Sequence, residues 1–252
     1  MRNVRVIARL DIKNKYLIKG IHLEGLRKLG KPYDFASQYF KSGIDEIIYM
    51  DSVASLYNRN SLNEIIEETS KNIFIPITVG GGIRSIDDAY RILRSGADKI
   101  AINTSAVENP QLIEDLSNRF GSSTVVLSIE AKKKDEGKWE SYTNNGREKT
   151  GLDVIEWSIE AEKMGVGEIL ITSVDKEGTC KGFDYDLIEA VSKKTFVPII
   201  ASGGMGELEH FKKVVKLSNC DGVAIGNMLH YSKTTISDIK LYSAEHKLNI
   251  RV

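Results

Sequence analysis

A short β-branched segment that ends in consecutive glycines occurs twice in this chain. The first copy is FIPITVGGGIR, from Phe74 to Arg84, and the second is FVPIIASGGMG, from Phe196 to Gly206. Gly81 and Gly203 are equivalent and lie 122 residues apart, close to half of the 252-residue chain. In each copy a buried strand delivers glycines that can expose backbone N–H groups to an anion. Two such cradles predict a substrate with two phosphates.

The repeat extends beyond the glycines at nearly the same offset. Equivalent pairs are Glu64–Ser70 with Asp186–Ser192, Gly43 and Glu46 with Gly165 and Glu168, and Asp98–Ile102 with Asp221–Ile225. Half-barrels of this kind do not bury the inner faces of their strands alone. We therefore expect one domain, residues 1–252, made of two half-barrels at about 1–122 and 123–252.

Short β-rich runs alternate with helical segments along the whole chain. The β-rich runs are Val4–Leu10, Glu46–Met50, Ile75–Val79, Lys99–Ile102, Thr124–Ile129, Glu168–Thr172, Val197–Ala201 and Gly222–Ile225. Strict alternation of this kind is typical of a parallel sheet, and eight units predict a closed (β/α)8 TIM barrel. Two connections after strands are long, Ile12 to Lys31 and the hairpin-like Ala131 to Thr150, and both are candidate lids.

Composition excludes several classes of function. Thirty-five Lys and Arg balance thirty-five Asp and Glu, so no global basic field indicates a nucleic-acid partner. No apolar run approaches the roughly 20 residues of a membrane span, and we expect a cytoplasmic protein without membrane contact. Cys180 and Cys220 lack metal-ligand spacing, so we expect two structural thiols, no metal and no cofactor.

Acidic residues end the first and fifth predicted strands. Asp11 follows Leu10, and Glu130 follows Ile129, at equivalent points of the two halves. In this architecture the loops after the strands form the active site, so both carboxyl groups should face one cavity. Two such groups divide acid and base work when burial and repulsion separate their pKa values. Asp11 and Glu130 are therefore the candidate catalytic residues.

The motifs together carry a family resemblance that runs nearly end to end. They are Leu10–Lys13, Ile18–Gly20, Asp51, Thr78–Arg84, Asp98–Lys99 with Asn103, Thr150–Gly151, Thr172–Ser173 with Gly178–Thr179, and Ala201–Gly204. This pattern resembles the cyclase subunit of imidazole glycerol phosphate synthase. The resemblance implies an enzyme that uses ammonia from a glutaminase partner. Its substrate would be a bis-phosphorylated ribulosyl formimino carboxamide ribonucleotide, and its products imidazole glycerol phosphate and aminoimidazole carboxamide ribotide.

The resemblance also implies roles for individual residues. Asp11 and Glu130 would be catalytic, and Lys19 would lie over the substrate on the mobile first loop. One phosphate would bind Gly82, Asn103 and Thr104, and the other Gly203, Gly204 and Gly226. Thr172, Glu177 and Gly178 would line the cavity between them.

The opposite end of the barrel offers a second set of matches. Arg5, Glu46, Lys99 and Glu168 each begin a strand, two residues of each sign. In the family resembled, the matching four form a charged ring through which ammonia enters, and Asp98 lies near the glutaminase. The resemblance thus implies a heterodimer with a glutaminase subunit.

Three positions at the centre depart from the family pattern. Glu130 and Glu177 stand where the family has aspartates, and Arg9 stands where it commonly has a small residue. Residues two apart on a strand share a face, so Arg9 should lie beneath Asp11 and pair with Asp11, Glu130 or the substrate. Two alternatives follow: a cyclase-like paralog that conducts ammonia for another amination, such as sugar acetamidino formation, and a sugar-phosphate isomerase. The retained charged ring counts against the isomerase.

Overall fold

Eight parallel strands close into a barrel in the computed structural model, which describes residues 3–54 and 62–251. Each strand pairs with its neighbours in chain order, and the last pairs with the first through Arg5 and Gly222. The barrel strands are β1 (Arg5–Lys13), β4 (Glu46–Asp51), β5 (Ile77–Gly80), β6 (Lys99–Ile102), β7 (Val125–Asp135), β10 (Glu168–Ser173), β11 (Ile199–Ser202) and β12 (Gly222–Ile225). The predicted (β/α)8 barrel is confirmed.

Helices connect the strands on the outside of the barrel. The longer ones are α1 (Pro32–Lys41), α2 (Asn63–Ser70), α3 (Ile86–Arg94), α5 (Gln111–Phe120), α6 (Val154–Lys163), α7 (Tyr185–Ser192), α8 (Leu208–Leu217) and α10 (Ile236–Glu245). Short helices α4 (Thr104–Glu108) and α9 (Asn227–His230) follow β6 and β12, and a 3-10 turn covers Ser122–Thr124. The side chain of Ser85 caps the start of α3 by accepting the backbone N–H of Asp88.

Both long connections are antiparallel hairpins. The fifth strand continues into β8 (Lys138–Thr143) and β9 (Glu148–Asp153), as the hairpin-like sequence predicts. The first strand continues into β2 (Tyr16–Ile21) and β3 (Glu24–Gly30), which the sequence had indicated only as a long loop. Each half of the barrel therefore has one hairpin above its catalytic end.

The barrel interior is layered because alternate residues of each strand point inward. On β1 these are Arg5, Ile7, Arg9 and Asp11, in order from the amino end to the carboxyl end. The apolar layer that contains Ile7 also holds Ile48, Ala101, Val126, Leu170, Ile200 and Ala224. A second, larger core packs the outer strand faces against the helices. The apolar layer thus separates a charged amino end from a polar carboxyl end.

Two findings concern features outside the barrel interior. Cys180 and Cys220 are both free thiols, as expected from their spacing. Among residues 3–54 and 62–251, none of the helices has the length and apolar character needed to cross a membrane.

Candidate active site

The two glycine turns have the same backbone character at the carboxyl end of the barrel. Gly81 and Gly82 follow β5 with φ values of 99° and 75°, and Gly203 and Gly204 follow β11 with values of 94° and 111°. Glycine is required here by contact as well as by φ. A Cβ at Gly81 would overlap the Asp51 carbonyl oxygen, and one at Gly204 would overlap the Gly182 carbonyl oxygen.

The first turn opens onto the larger of the two cavities that the glycine turns line. This first cavity has a volume of about 210 Å³. Residues from β4, β6, the turn after β5 and the fifth-strand hairpin line it, including Gly81, Gly82, Asn103, Thr104 and Asn144. The backbone N–H of Asn144 donates to the Thr104 hydroxyl at 3.2 Å, which fixes the hairpin tip over the short helix α4. The predicted first cradle is thus accessible.

The second turn lies at a much smaller cavity of about 20 Å³. Its lining includes Gly178, Gly203, Gly204 and Gly226, together with Lys19 from the first hairpin. A Cβ at Gly226 would lie 3.2 Å from Lys19 Nζ, and one at Gly178 would overlap the Gly20 carbonyl oxygen. The first hairpin therefore occupies the second cradle, where Lys19 is only 3% exposed.

Arg9 lies beneath Asp11 on β1, as the sequence predicts. Its Nε donates to Asp11 Oδ1 at 2.9 Å, and its Nη1 donates to Thr172 Oγ1 at 2.6 Å and Ser202 Oγ at 3.1 Å. Of the partners expected for Arg9, Asp11 is confirmed. Glu130 is not a hydrogen-bond partner of Arg9, and Nη1 binds the two hydroxyls instead.

Asp11 is held ionised by two cations. Lys19 Nζ donates to its other oxygen, Oδ2, at 3.0 Å, and also to Glu177 Oε1. Burial alone would raise the pKa of Asp11, but the charges of Arg9 and Lys19 outweigh burial and lower it well below its usual range. Arg9 and Lys19 balance the carboxylates of Asp11 and Glu177, which explains how four charged groups share one buried site.

Glu130 has the opposite electrostatic character. Its Oε2 accepts the backbone N–H of Gly146 at 2.7 Å and Nδ2 of Asn103 at 3.1 Å. Burial raises the pKa of Glu130 to about 7, against the smaller lowering effects of the Gly146 N–H and the Arg9 charge. The pKa values of Asp11 and Glu130 therefore differ in the way that the sequence predicts. Burial is the main cause of the raised pKa of Glu130, and repulsion from Asp11 contributes only a minor part.

The amide of Asn103 also donates to the carbonyl oxygen of Tyr142 at 3.1 Å. A backbone carbonyl only accepts, so this bond fixes which end of the amide carries the nitrogen. Asn103 thus ties Glu130 to the fifth-strand hairpin.

A closed ring of ion pairs lies at the amino end of the barrel. Arg5 donates to Glu46 at 2.9 and 3.0 Å and to Glu168 at 2.5 Å. Lys99 donates to Glu168 at 2.8 Å and lies 3.8 Å from Glu46. The four predicted residues are therefore brought together below the apolar layer.

Asp98 has a structural role in this chain. Its carboxylate accepts the N–H of Ile77 at 2.8 Å, and its repeat mate Asp221 accepts the N–H of Ile199 at 2.9 Å. The side chain of Asp98 is nevertheless exposed at the amino end of the barrel. Its predicted contact with a partner is compatible with this position.

One buried chain of hydrogen bonds was missed by reasoning from the sequence. His230 Nε2 donates to the Arg9 carbonyl at 2.9 Å, so its Nδ1 accepts from the Tyr39 hydroxyl at 2.8 Å. Burial lowers the pKa of His230 to about 4, and the ring is neutral. No motif marks these residues, because they meet only when α1 and α9 pack beside β1.

Comparisons with known proteins agree on one family. A family model described as "Histidine biosynthesis protein" matches residues 5–235. A protein of Legionella pneumophila is 62% identical over 211 residues, which cover 84% of this chain and all of that protein. A protein of Streptococcus mutans serotype c is 41% identical over 251 residues, the full length of both. Both relatives are named "Imidazole glycerol phosphate synthase subunit HisF".

Proposed function

This chain belongs to the HisF family of imidazole glycerol phosphate synthase subunits, the cyclase of histidine biosynthesis, and from this we propose how its residues carry out that reaction. The substrate is the bis-phosphorylated ribulosyl formimino carboxamide ribonucleotide, and ammonia is the second reactant. Each end of the substrate binds one glycine cradle, and the chemistry takes place between them. The observation that carries this proposal is the pair of buried acids between the cradles, Asp11 bound to Arg9 and Lys19, and Glu130 bound to the Gly146 N–H and the Asn103 amide.

The first cradle binds one phosphate through backbone N–H groups near Gly82 and Thr104, where α4 begins. The site in the first cavity is open and its volume of about 210 Å³ accommodates a phosphate and part of a sugar. The side-chain nitrogen of Asn103 is already bound to Glu130 and Tyr142. Asn103 therefore supports this site through its backbone and its hold on Glu130.

The second cradle binds the other phosphate near Gly203, Gly204 and Gly226. Lys19 occupies this place and is the natural counter-ion for an arriving phosphate. Binding requires the first hairpin to move outward, with Lys19 exchanging Asp11 and Glu177 for phosphate oxygens. That exchange frees Asp11 to accept a proton.

Glu130 and Asp11 divide the proton transfers. At neutral pH Glu130 is partly protonated, since burial raises its pKa to about 7, so it both donates and accepts. When ammonia adds to a carbonyl carbon, the C–N bond forms and the C=O π pair moves onto oxygen. Glu130 gives that oxygen a proton and later takes one from the nitrogen, so no net proton is consumed. Asp11 stays ionised and acts as the base in the later steps.

Ammonia enters through the charged ring of Arg5, Glu46, Lys99 and Glu168 and crosses the apolar layer as a neutral molecule. The subunit naming of both relatives implies a partner subunit, and we propose that it is a glutaminase bound at the amino end of the barrel. Phe74 and Phe196 support this surface. They are repeat mates just before β5 and β11, and they are 80% and 91% exposed. Large exposed aromatic side chains are typical of interface anchors.

One assay tests the proposed reaction. Purified protein is mixed with the bis-phosphate substrate and an ammonium salt at alkaline pH, and formation of the two products is followed. We expect turnover by the wild-type chain and loss of about 10²- to 10⁴-fold in Asp11→Asn, the range for removal of an acid-base group. Tight substrate binding without turnover by the wild type would disprove the cyclase assignment.

A second assay tests the partner. Phe196→Glu should weaken binding to the glutaminase subunit while ammonium-dependent turnover stays unchanged, because the substitution lies at the far end of the barrel. Equal complex formation by wild type and variant would exclude this surface.

A further inference from the structure

Arg9 is the one residue that both cavities share within the described part of the chain. It lines the first cavity beside Met50, Asn103 and Glu130, and the second beside Lys19 and Ser202. If a substrate places one phosphate in each cavity, the section between its phosphates must therefore pass next to Arg9. The family resembled commonly has a small residue here, so Arg9 takes no part in the roles that the resemblance implies.

The hydrogen bonds of Arg9 leave one amino group available. Nε is bound to Asp11, and Nη1 is bound to Thr172 and Ser202. Nη2 has no hydrogen-bond partner among residues 3–54 and 62–251, yet it is not one of the enclosed, unsatisfied polar atoms. Arg9 as a whole is only 3% exposed, and it lines both cavities. The small part of the side chain that solvent can reach therefore faces these cavities.

The three existing bonds also fix the orientation of the group. Partners on β1, β10 and β11 hold the guanidinium plane from two sides, and an arginine fork bound in this way loses little further entropy on binding a ligand. Nη2 is thus a preorganised donor of two N–H groups.

We propose that Arg9 is a substrate-binding residue that recognises an oxygen acceptor in the section of the substrate between its two phosphates. The proposal rests on the proposed function for the identity of that substrate. The keto oxygen of the ribulosyl arm is the acceptor that gains most from this contact, because negative charge develops on it as ammonia adds to the carbonyl carbon. Arg9 then stabilises the alkoxide until Glu130 protonates it.

The position also bears on specificity. A fixed cation midway between two anion cradles favours a ligand whose central section presents an oxygen, and disfavours one that presents a positively charged nitrogen there. A small residue at the same place would leave this choice to the cradles alone. Glu130 lines the first cavity together with Arg9, and Glu177 lines the second cavity together with Arg9, so the three departures from the family pattern lie at one site.

The test compares wild type with Arg9→Met, which keeps an unbranched apolar stem and removes the guanidinium, and with Arg9→Lys, which keeps the charge and removes the fork. Substrate affinity is measured by calorimetry without ammonia, and turnover with an ammonium salt. Inorganic phosphate affinity and the thermal midpoint are measured in parallel as controls for the cradles and the fold.

For Arg9→Met we expect substrate affinity about tenfold weaker and kcat lower by about 10²-fold, with phosphate affinity changed less than threefold. Arg9→Lys should be intermediate. Substrate affinity and kcat equal to wild type in a folded variant would overturn the proposal. If Arg9→Met does not fold, an Arg9→Lys variant with wild-type kcat and affinity would overturn it in the same way.

The cyclase reaction and the substrate contact of Arg9 can be refuted independently of each other. Absence of turnover by the wild type refutes the cyclase reaction, whereas the affinity ratio of wild type to Arg9→Met still decides whether Arg9 contacts the ligand. A purely structural role for Arg9 would lower the thermal midpoint and phosphate affinity together with kcat, and that pattern would also overturn the proposal.

Discussion

The two glycine cradles arise from one sequence repeat but differ in what covers them. The first opens onto a cavity of about 210 Å³, and the second retains about 20 Å³ because Lys19 fills it. Their glycines share the same left-handed backbone, with φ between 75° and 111°. The difference comes from the hairpins. The fifth-strand hairpin covers its cradle with Asn144 and Asn145, whereas the first-strand hairpin brings a cation, Lys19.

This contrast shows how a duplicated half-barrel becomes asymmetric. The repeated backbone supplies two equal anion sites, and the inserted hairpins determine the charge and protonation next to each. Beside the second cradle, Arg9 lowers the pKa of Asp11 and Lys19 of the first hairpin lowers it further. Beside the first, burial and a backbone N–H leave Glu130 with a pKa of about 7. One half therefore holds an anion and the other a proton donor.

The largest expected effect comes from placing a carboxylate in each cradle. Gly82→Asp and Gly204→Asp should each reduce affinity for the bis-phosphate substrate by at least about 100-fold, because the new charge repels a phosphate at short range. Calorimetric titration measures this loss. Unchanged affinity in either variant would remove that half's cradle from the binding site.

The controls for these variants differ between the halves. Gly82→Ala tests the cost of adding a side chain at the left-handed backbone, where φ is 75°. Gly204→Ala is needed because any Cβ there overlaps the Gly182 carbonyl oxygen and shifts the backbone. Only the excess loss in each aspartate variant is attributed to charge.

An intermediate effect on substrate affinity is expected when the Lys19 cation, which distinguishes the second cradle from the first, is removed. Lys19→Met deletes the cation of the second cradle while keeping an unbranched side chain. The pKa of Asp11 should rise, since Lys19 is one of the two cations that lower it. The acid limb of the kcat/KM profile, which reports the ligand-free enzyme in which Lys19 binds Asp11, should therefore move to higher pH, and substrate affinity should fall about tenfold. An unmoved acid limb would show that Arg9 alone sets the ionisation of Asp11.

Sequence reasoning predicted the symmetric part of the molecule and missed much of the asymmetric part. The strand positions, the glycine turns and the pair Asp11 and Glu130 follow from periodicity and repetition. The hairpin β2–β3 does not, because its Lys- and Gly-rich sequence has no two-residue turn signal and little apolar alternation. The bonds of Lys19 to Glu177 join residues 158 positions apart and depend on how that hairpin folds down.

The contacts of Arg9 were predicted from the sequence only in part. Its position beneath Asp11 follows from the two-residue period of a strand, and that pairing is confirmed. Its contacts with Thr172 and Ser202 depend on the register of β10 and β11 across the barrel, which sequence alone does not specify. The roles assigned to the site residues and the division at residue 122 stay predictions.

The smallest expected effect concerns stability beside the first cradle. The folded-state pKa of Glu130 is about 7 against an ordinary value of 4.5. Its contribution to stability is therefore fully present below pH 4.5 and is lost as pH rises through 7. Glu130→Gln should melt close to wild type near pH 4.5 and a few degrees higher at pH 8, as measured by calorimetry. A difference in melting temperature that does not change with pH would contradict the raised pKa.

The central claim is that the two glycine cradles bind the two phosphates of one substrate. The most direct test is a ³¹P NMR titration of the bis-phosphate with the wild-type chain, Gly82→Asp and Gly204→Asp. Both phosphorus resonances should shift on binding to wild type. At saturating protein, each variant should leave one resonance at its free position, and the two variants should leave different ones. A wild-type complex in which only one phosphorus resonance shifts would contradict the claim that each cradle binds one phosphate.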